Sequence, residues 1–202
     1  MPVRQRTGMA APVKKERLDA TAWADAALAA LAEQGVTAVA VEPLARALGV
    51  TKGSFYWHFK TRDELLLAAV ERWETLATAG VIERVTHIEP PQARIRALMR
   101  VAHASQSGIR IAAQLAPLAG HPTIGPVLKR LTARRIDFIT QCYRDLGLNA
   151  ARARRAAQLA YAAYLGLAEL ERLGLGLGTA RQRAEYVAQV VSTLVPADTT
   201  PL

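Results

Sequence analysis

Apolar residues recur at steps of three and four along most of this 202-residue chain, and this helical spacing constrains the fold more than any other feature. Leu and Ala dominate over β-branched and aromatic residues, a composition that favours helices over strands. A short β-branched run, GVTAVAV at residues 35–41, is isolated and leads into EPLARALG, so we interpret it as a connector between helices. The sequence therefore predicts an all-α protein with about three short helices followed by about six longer ones.

Residue types that start and stop helices mark the expected boundaries. Gly35 and Gly49 end the first two helices, and Thr61 with Glu64 forms a capping box at the start of a long fourth helix. The Glu-Pro-Pro run at 89–91 stops that helix and begins the next. Further helices are predicted over residues 91–105, 108–119, 123–146, 150–173 and 180–195.

The composition restricts the class of protein. A formal net charge of +9 and an isoelectric point near 10.3 suit a polyanionic partner such as nucleic acid, with an anionic membrane surface as the alternative. The single cysteine, Cys142, excludes an internal disulfide and fits a reducing cytoplasm. The longest uncharged run, residues 111–128, contains three prolines and two glycines, so we expect no helix that spans a bilayer. These features predict a cytoplasmic protein without a membrane partner.

An unusual concentration of rings follows Gly49, although aromatic residues make up only 5% of the chain. Phe55 and Phe59 stand four residues apart and share one helix face, on which they can anchor a small core. Tyr56 and His58 keep polar atoms that can reach phosphates. The alternative, that every ring in the cluster is simply core, stays open at this point.

The short helices on either side of Gly49 have the proportions of a helix-turn-helix, whose second helix can enter the DNA major groove. The stretch Thr51–Ser54 suits the start of such a helix, because it supplies a hydroxyl cap, a cationic donor, a residue without a side chain and a second hydroxyl. Lys60 and Arg62 add positive charge at the start of the following helix, where the helix dipole also favours an anion. These patterns indicate a DNA-reading unit.

The stretch LARALGVTKGSFYWHFKTRDELL at residues 44–66 resembles the DNA-binding segment of the TetR-type (tetracycline-repressor-like) family of bacterial transcriptional regulators. The motif extends over about residues 20 to 70, and beyond it only the helical layout and the length are similar. The resemblance implies a sequence-specific regulator, a repressor that a small-molecule effector releases from double-stranded operator DNA. We expect no enzymatic activity and no cofactor. The residues that the resemblance places on DNA are Thr51, Lys52, Gly53, Ser54, Tyr56, Trp57, His58, Lys60 and Arg62.

One departure from that family concerns the start of the second helix, where many members have a hydroxyl residue and often a cation. This chain has Ala40, Val41 and Glu42 there, so the usual side-chain contact to phosphate is not expected, and Glu42 repels DNA unless it points away. Residues 18–62 carry four basic and four acidic side chains, whereas residues 1–17 carry five basic residues and one glutamate. One interpretation is that the N-terminal segment supplies most of the electrostatic attraction to DNA by entering the minor groove. The alternative is that this segment only aids solubility.

The resemblance implies a three-helix DNA-binding domain, a connecting fourth helix and a helical C-terminal domain for ligand binding and dimerisation. The corresponding division of this chain is a basic flexible tail at 1–17, a helix-turn-helix domain at 18–62, a ligand-binding and dimerisation domain at 63–196 and a C-terminal tail at 197–202.

The same resemblance implies a ligand pocket inside the C-terminal helices. Candidate lining residues are polar or amphipathic side chains within mostly apolar helices, as a ligand site requires. They are Trp73, His103, Gln114, Phe138, Gln141, Cys142, Tyr161 and Tyr164. Taken individually, each of them also fits an ordinary place in the core or at an interface.

Homodimerisation through the last two helices is implied as well. Small residues in RAAQLAYAAYLGLAELERL let two helices approach closely, and a two-fold dimer lets two recognition helices read two half-sites. Packing within one chain explains the same pattern. The candidate interface residues are Ala156, Ala160, Ala163, Gly166, Val187, Val190, Val191 and Leu194.

Two other classes of protein are alternatives. An enzyme is disfavoured, because the histidines at 58, 87, 103 and 121 are scattered without metal-ligand spacing and no nucleophile elbow occurs. We therefore expect no metal site and no catalytic residue. The second alternative is a helical protein-interaction or membrane-surface module without specific DNA binding, and it predicts binding that survives the loss of Tyr56 and Lys52.

Overall fold

The computed structural model describes residues 18–195 of the chain, so the predicted tails at 1–17 and 197–202 lie outside the described residues. Within residues 18–195 no strand occurs, which confirms the all-α prediction. The α-helices are α1 (Ala20–Gln34), α2 (Val41–Ala47), α3 (Lys52–Tyr56), α4 (Arg62–Glu74), α5 (Gly80–Thr86), α6 (Pro91–Ala104), α7 (Gln106–Leu115), α8 (Ile124–Asp145), α9 (Ala150–Arg172) and α10 (Ala180–Leu194).

Glycines with positive φ end the first two helices, as the sequence predicts. Gly35 has φ 87° and ψ −176°, a backbone conformation that is essentially restricted to glycine, and its N–H bonds the Leu31 carbonyl at the end of α1. Gly49 has φ 67° and begins the turn from α2 into α3. Val36–Ala38 form a single 3₁₀ turn, so GVTAVAV is the predicted connector between helices.

The first three helices are held together by buried aromatic rings. Trp23 of α1 meets Phe55 of α3 edge-on, with ring centroids 5.5 Å apart, and Phe55 stacks on Phe59 at 5.7 Å. Leu65 and Leu66 at the start of α4 are also buried in this core. Because α3 has only five residues, its stability comes from this packing rather than from its own helix propensity.

The predicted long fourth helix is present but has an irregular middle. α4 continues through a π-helical turn, Thr75–Ala79, directly into α5. The predicted capping box forms only in part: Thr61 Oγ1 accepts from the Glu64 N–H at 3.2 Å, but Glu64 does not accept from the N–H of Thr61 itself. The Glu64 carboxylate accepts in return from the Lys60 N–H at 2.7 Å, one residue before the helix cap. π-helical turns are rare in proteins, and those that occur are often found at functional sites.

The helices α6 to α10 form the second part of the fold. The two longest, α8 and α9, pack against each other, while α7 packs on α9 and α10 packs on α6. Asn149 caps α9 by accepting from the Arg152 N–H at 2.9 Å, and Thr179 with Gln182 forms a capping box on α10. Within residues 18–195, no helix combines the length and the apolar character that crossing a bilayer requires.

The two parts meet along α1, which packs on both α4 and α7. Arg72 of α4 pairs with Asp25 of α1 at 2.7 Å across this boundary. Gly35 lies so close to α7 that a Cβ added to it would stand 2.7 Å from Gln114 Oε1. Buried residues from both parts form one continuous core, and the division into domains after residue 62 stays a prediction.

Candidate nucleic-acid interface and ligand cavity

The aromatic cluster after Gly49 is divided between the core and the surface. Phe55 and Phe59 are buried, whereas Tyr56 is 59% exposed and Trp57 is 88% exposed. The alternative that every ring is core is therefore wrong, because two large rings face outward beside Lys52. We call the exposed residues here the α3 surface, which comprises Thr51, Lys52, Gly53, Tyr56, Trp57, His58 and Lys60.

Lys52 is paired with the glutamate that the sequence identifies as unfavourable for DNA. Its Nζ lies 2.8 Å from Glu42 Oε1, and both side chains are more than half exposed. The hydrogen bond to Glu42 raises the pKa of Lys52, and the same bond lowers the pKa of Glu42, so both groups stay charged at neutral pH. The charges of the pair cancel at the tip of α3. Lys52 must exchange this partner before it can contact a phosphate or a base.

Two predicted DNA contacts also hold the fold together. The guanidinium of Arg62 donates to the Val36 carbonyl at 2.5 Å and to the Val39 carbonyl at 2.6 Å. His58 Nε2 lies 3.0 Å from the Leu18 carbonyl. Arg62 therefore ties the start of α4 to the connector before α2, while part of its side chain stays exposed.

The start of α3 leaves room for an approaching backbone. Thr51 stands at the helix cap, but its hydroxyl accepts no bond from a helix amide, so the predicted hydroxyl cap is wrong. A Cβ added to Gly53 would meet only Thr51 Oγ1, at 3.6 Å, an ordinary contact. Ser54 is half-buried and Lys60 is exposed. Packing inside the protomer does not require a glycine at position 53.

A cavity of about 280 Å³ lies among α4, the π-helical turn and the helices α5 to α9. Its wall includes Leu28 of α1, part of α4 and the π-helical turn, and residues of α6 to α9. Such a volume is at the lower end of the range for small-molecule sites. Five of the eight predicted pocket residues line this cavity, namely Trp73, His103, Phe138, Tyr161 and Tyr164.

The other three predicted pocket residues lie elsewhere. Gln114 faces Gly35 at the junction of α7 with α1. Gln141 is exposed and donates to Asp145 Oδ1 at 2.7 Å. Cys142 is buried outside the cavity wall, and burial raises the pKa of its thiol to about 11. A protonated, inaccessible thiol of this kind is unreactive at neutral pH.

Sequence reasoning missed the cavity residue with the most distinctive chemistry, Arg135. Its Nε donates to Thr78 Oγ1 at 2.8 Å, and its guanidinium carbon lies 4.5 Å from the Trp73 ring centroid and 5.8 Å from that of Tyr164. A signal for it exists in the sequence, because Arg135 falls at a core position of α8, four residues after the buried Leu131.

His103 is another titratable group in this wall. His103 is 1% exposed, and its Nδ1 lies 2.9 Å from the Met99 carbonyl, so Nδ1 carries the proton. Burial lowers the pKa of His103, which keeps the ring neutral with an acceptor lone pair on Nε2. That Nε2 has no hydrogen-bond partner among the described residues, and neither does the buried indole N–H of Trp73. No group of three or more His, Cys, Asp or Glu within residues 18–195 is arranged to hold a metal ion.

α9 presents an apolar strip on the side away from its buried face. We call Leu159, Ala163, Gly166 and Leu170 the α9 stripe, because steps of four, three and four place them on one helix face. Leu159 is 61% exposed and Leu170 is 42% exposed. Of these residues, sequence reasoning missed both leucines.

The remaining residues predicted at the dimer interface have different surroundings. Ala160 is buried within the protomer, and Ala156 and Leu194 are half-buried. Val187, Val190 and Val191 are buried on α10, which packs mainly on α6. That these residues lie at a dimer interface stays a prediction.

Comparison with known proteins bears on the first part of the chain. Residues 24–69 match the family model for bacterial regulatory proteins of the tetR family. The chain therefore resembles that family over the helices that carry the α3 surface. It is 42% identical over 50 residues to the HTH-type transcriptional regulator AcrR of Shigella flexneri, a match that covers 25% of this chain and 22% of that protein. Two further curated HTH-type transcriptional regulators are matched over only 18% and 34% of their length.

Solved structures of other proteins share the fold over most of the chain. A transcriptional regulator from Saccharomonospora viridis in complex with choline has a TM-score of 0.73 at 17% identity, over 87% of this chain and 94% of that one. AibR in complex with isovaleryl coenzyme A and operator DNA has a TM-score of 0.67 at 20% identity, over 90% and 99%. At these identities the likeness establishes the fold alone. The sequence match to the tetR family model, at residues 24–69, includes the α3 surface but not the α9 stripe.

Proposed function

We propose that this chain is a sequence-specific DNA-binding transcriptional regulator of the cytoplasm, a homodimeric repressor that a small-molecule effector releases from its operator. The α3 surface carries this proposal. Trp57 and Tyr56 expose large rings beside Lys52 and Lys60, above a core that already contains Phe55 and Phe59. Rings this exposed bury little surface in the core, and beside cations they suit contacts to phosphates and base edges.

In the proposed complex, Lys52, Gly53 and Tyr56 approach the major groove, and Lys60 contacts the backbone. The open space around Gly53 supports close approach of the DNA, since packing gives no reason for a glycine there. Glu42 holds Lys52 in the free protein, so only DNA that offers Lys52 a good acceptor compensates for the lost ion pair. Glu42 would then contribute to specificity by penalising other sequences.

Residues 18–62 act in this proposal as the DNA-binding domain and residues 63–196 as the effector and dimerisation domain. The cavity supports the effector role because its wall is shared by α1 and α4. Arg62, at the other end of α4, bonds the connector that leads into α2. A ligand that prefers one position of α4 would therefore shift the arrangement of the DNA-binding helices. The choline and isovaleryl coenzyme A complexes of two structural neighbours are consistent with such a role for the cavity.

Dimerisation is supported by the α9 stripe, which leaves leucines exposed on a protomer. Two recognition helices in a two-fold dimer read two half-sites, and a single five-residue α3 reads too few base pairs to be specific. We propose no catalytic role, because the curated relatives matched in sequence are transcriptional regulators.

The test is binding of the purified protein to the DNA just upstream of its own gene, with a scrambled duplex of equal length, at two salt concentrations. We expect tight, salt-sensitive binding to the native duplex and its loss in Tyr56→Ala. Lys60→Ala should weaken binding to both duplexes and flatten the salt dependence. The control is Arg181→Ala, which removes an exposed cation of α10 and should change neither.

Equal binding to both duplexes would be followed by selection from random DNA, because the operator can lie elsewhere. No DNA binding at low salt would refute the proposal. Binding to anionic vesicles or to a protein that survives both Tyr56→Ala and Lys52→Ala would instead establish the interaction-module alternative.

A further inference from the structure

The cavity wall carries positive charge and no carboxylate. Among the described residues that line it, the ionisable groups other than tyrosine are Arg84, Arg135 and His103. We infer that the cavity binds a small carboxylic acid with an apolar, ring-sized body and a hydroxyl group at its far end. This inference rests on the proposed function only in taking the acid as the effector, and the binding itself is measured without DNA.

Arg135 is the group that would receive the carboxylate. Its hydrogen-bond partners are the neutral Thr78 hydroxyl, at 2.8 Å, and the Ala77 carbonyl, at 3.5 Å. Within residues 18–195 no carboxylate pairs with it, although neighbouring Arg130 and Arg134 both lie within 3.5 Å of Glu74. A partly buried guanidinium without an opposite charge is unfavourable, and its planar set of donors matches a carboxylate.

The aromatic residues of the wall define the body of the ligand. Trp73 lies under the guanidinium, and Tyr161 and Tyr164 stack with ring centroids 6.0 Å apart. Most of the other lining residues are aliphatic, among them Leu98, Ile111 and Ile139. Such a wall favours a flat apolar molecule over a sugar or a peptide. The volume of about 280 Å³ is at the lower end of the range for small-molecule sites, which favours a ligand with one ring or a short branched chain.

His103 supplies the reason for the hydroxyl group. Its Nε2 is buried without a partner among the described residues and, with the proton on Nδ1, can only accept. The rings of His103 and Tyr164 have centroids 5.9 Å apart, so His103 and Arg135 both flank Tyr164. The Tyr164 hydroxyl already donates to the Gly108 carbonyl at 3.1 Å and is not available to His103. A ligand O–H would therefore satisfy an acceptor that the protein leaves unpaired.

The experiment is calorimetric titration of the full chain with 4-hydroxybenzoate, its methyl ester and benzoate. We expect saturable binding of 4-hydroxybenzoate, and binding of the ester weaker by about ten- to 150-fold, because the ester lacks the charge that Arg135 pairs with. Benzoate should bind more weakly than 4-hydroxybenzoate, since it leaves His103 Nε2 unpaired. Arg135→Gln should lower affinity for the acid by a similar factor and leave affinity for the ester unchanged.

The matched control is Arg134→Gln, which removes the adjacent cation that faces Glu74 and should alter neither affinity. Equal affinity for acid and ester, retained acid affinity in folded Arg135→Gln, or no saturable binding of any of the three compounds would each overturn the inference. If Arg135→Gln does not fold, the wild-type protein alone tests the inference, because equal affinities for the acid and the ester overturn it. Specific DNA binding without binding of the acid would refute this inference alone, whereas binding of the acid without any DNA binding would refute the proposed function.

Discussion

Two leucines of α9 make the proposed dimer testable as a matched pair. Leu170 belongs to the α9 stripe and is 42% exposed, while Leu165 on the same helix is 41% exposed. Five residues correspond to roughly 140° around an α-helix, so Leu165 points away from the stripe. Leu170→Ala and Leu165→Ala therefore remove the same chemistry, at the same exposure, inside and outside the proposed interface.

The exposed fraction sets the expected size of the effect. Complete burial of a leucine side chain stabilises by about 1.5–3 kcal/mol. Covering the 42% of Leu170 that one protomer leaves exposed then contributes about 0.6–1.3 kcal/mol for each copy. A two-fold interface contains both copies, so Leu170→Ala should weaken the dimer by about 1.2–2.6 kcal/mol, a rise of about seven- to seventyfold in its dissociation constant.

Sedimentation equilibrium over a range of protein concentrations measures that constant for the wild type and both variants. Leu165→Ala should leave it unchanged, and circular dichroism should show that both variants keep their helices. The same shift in both variants would mean that leucine removal acts through the fold of α9 rather than through an interface. A wild-type protein that stays monomeric at every concentration, or an unaffected dimer in Leu170→Ala, would refute the interface.

The remaining predictions separate DNA contact from stability. Gly53→Ala should leave the thermal unfolding temperature unchanged or slightly raised, because the added methyl has room. The affinity of this variant for the operator should fall, and retained affinity would show that DNA does not approach this position. Glu42→Gln should tighten DNA binding and steepen the slope of log K against log salt by about 0.9 per subunit, since Lys52 becomes able to neutralise a phosphate; an unchanged slope would contradict this. Burial raises the pKa of Cys142 from 9.0 to about 11. The protonated thiol therefore contributes up to about 2.7 kcal/mol to the free energy of unfolding below pH 9, and this contribution disappears as the pH rises towards 11. Urea unfolding of the wild type and Cys142→Ala at about pH 8 and about pH 10 checks this, and an identical loss in both would show that another group is responsible.

The parts of the fold that depend on neighbouring residues could be predicted from sequence. Gly35 and Gly49 end helices because their backbone conformations exclude most side chains, and this requirement is local. The spacing of Phe55 and Phe59 places both on one face, and a three-helix unit has only one interior to receive that face. Even here one local prediction was wrong, because the Thr51 hydroxyl does not cap α3.

The cavity could be predicted only in part, because its wall is assembled from helices that are distant in sequence. Selection by residue type found Trp73 and Tyr164, yet it also chose Gln141, which lies on the exposed face of α8. Arg134 and Arg135 are chemically identical neighbours, and only the packing of α8 against α4 and α9 turns one towards Glu74 and the other into the cavity. The charged residue that defines the proposed ligand is therefore a consequence of tertiary structure.

Arg135 bonds the π-helical turn Thr75–Ala79, which continues directly from α4. Thr75 Oγ1 donates to the Glu71 carbonyl at 3.0 Å, which is a local influence on the helix, whereas the bonds from Arg135 to Thr78 and Ala77 come from α8. A carboxylate bound at Arg135 would pair with a guanidinium of five N–H donors, two of which already bond Thr78 and Ala77. It would therefore act on the group that anchors the irregular turn, and the turn lies between the cavity and the helix whose first residue, Arg62, bonds the connector before α2. An acid at Arg135 thus has a direct physical means of favouring one position of α4 over another.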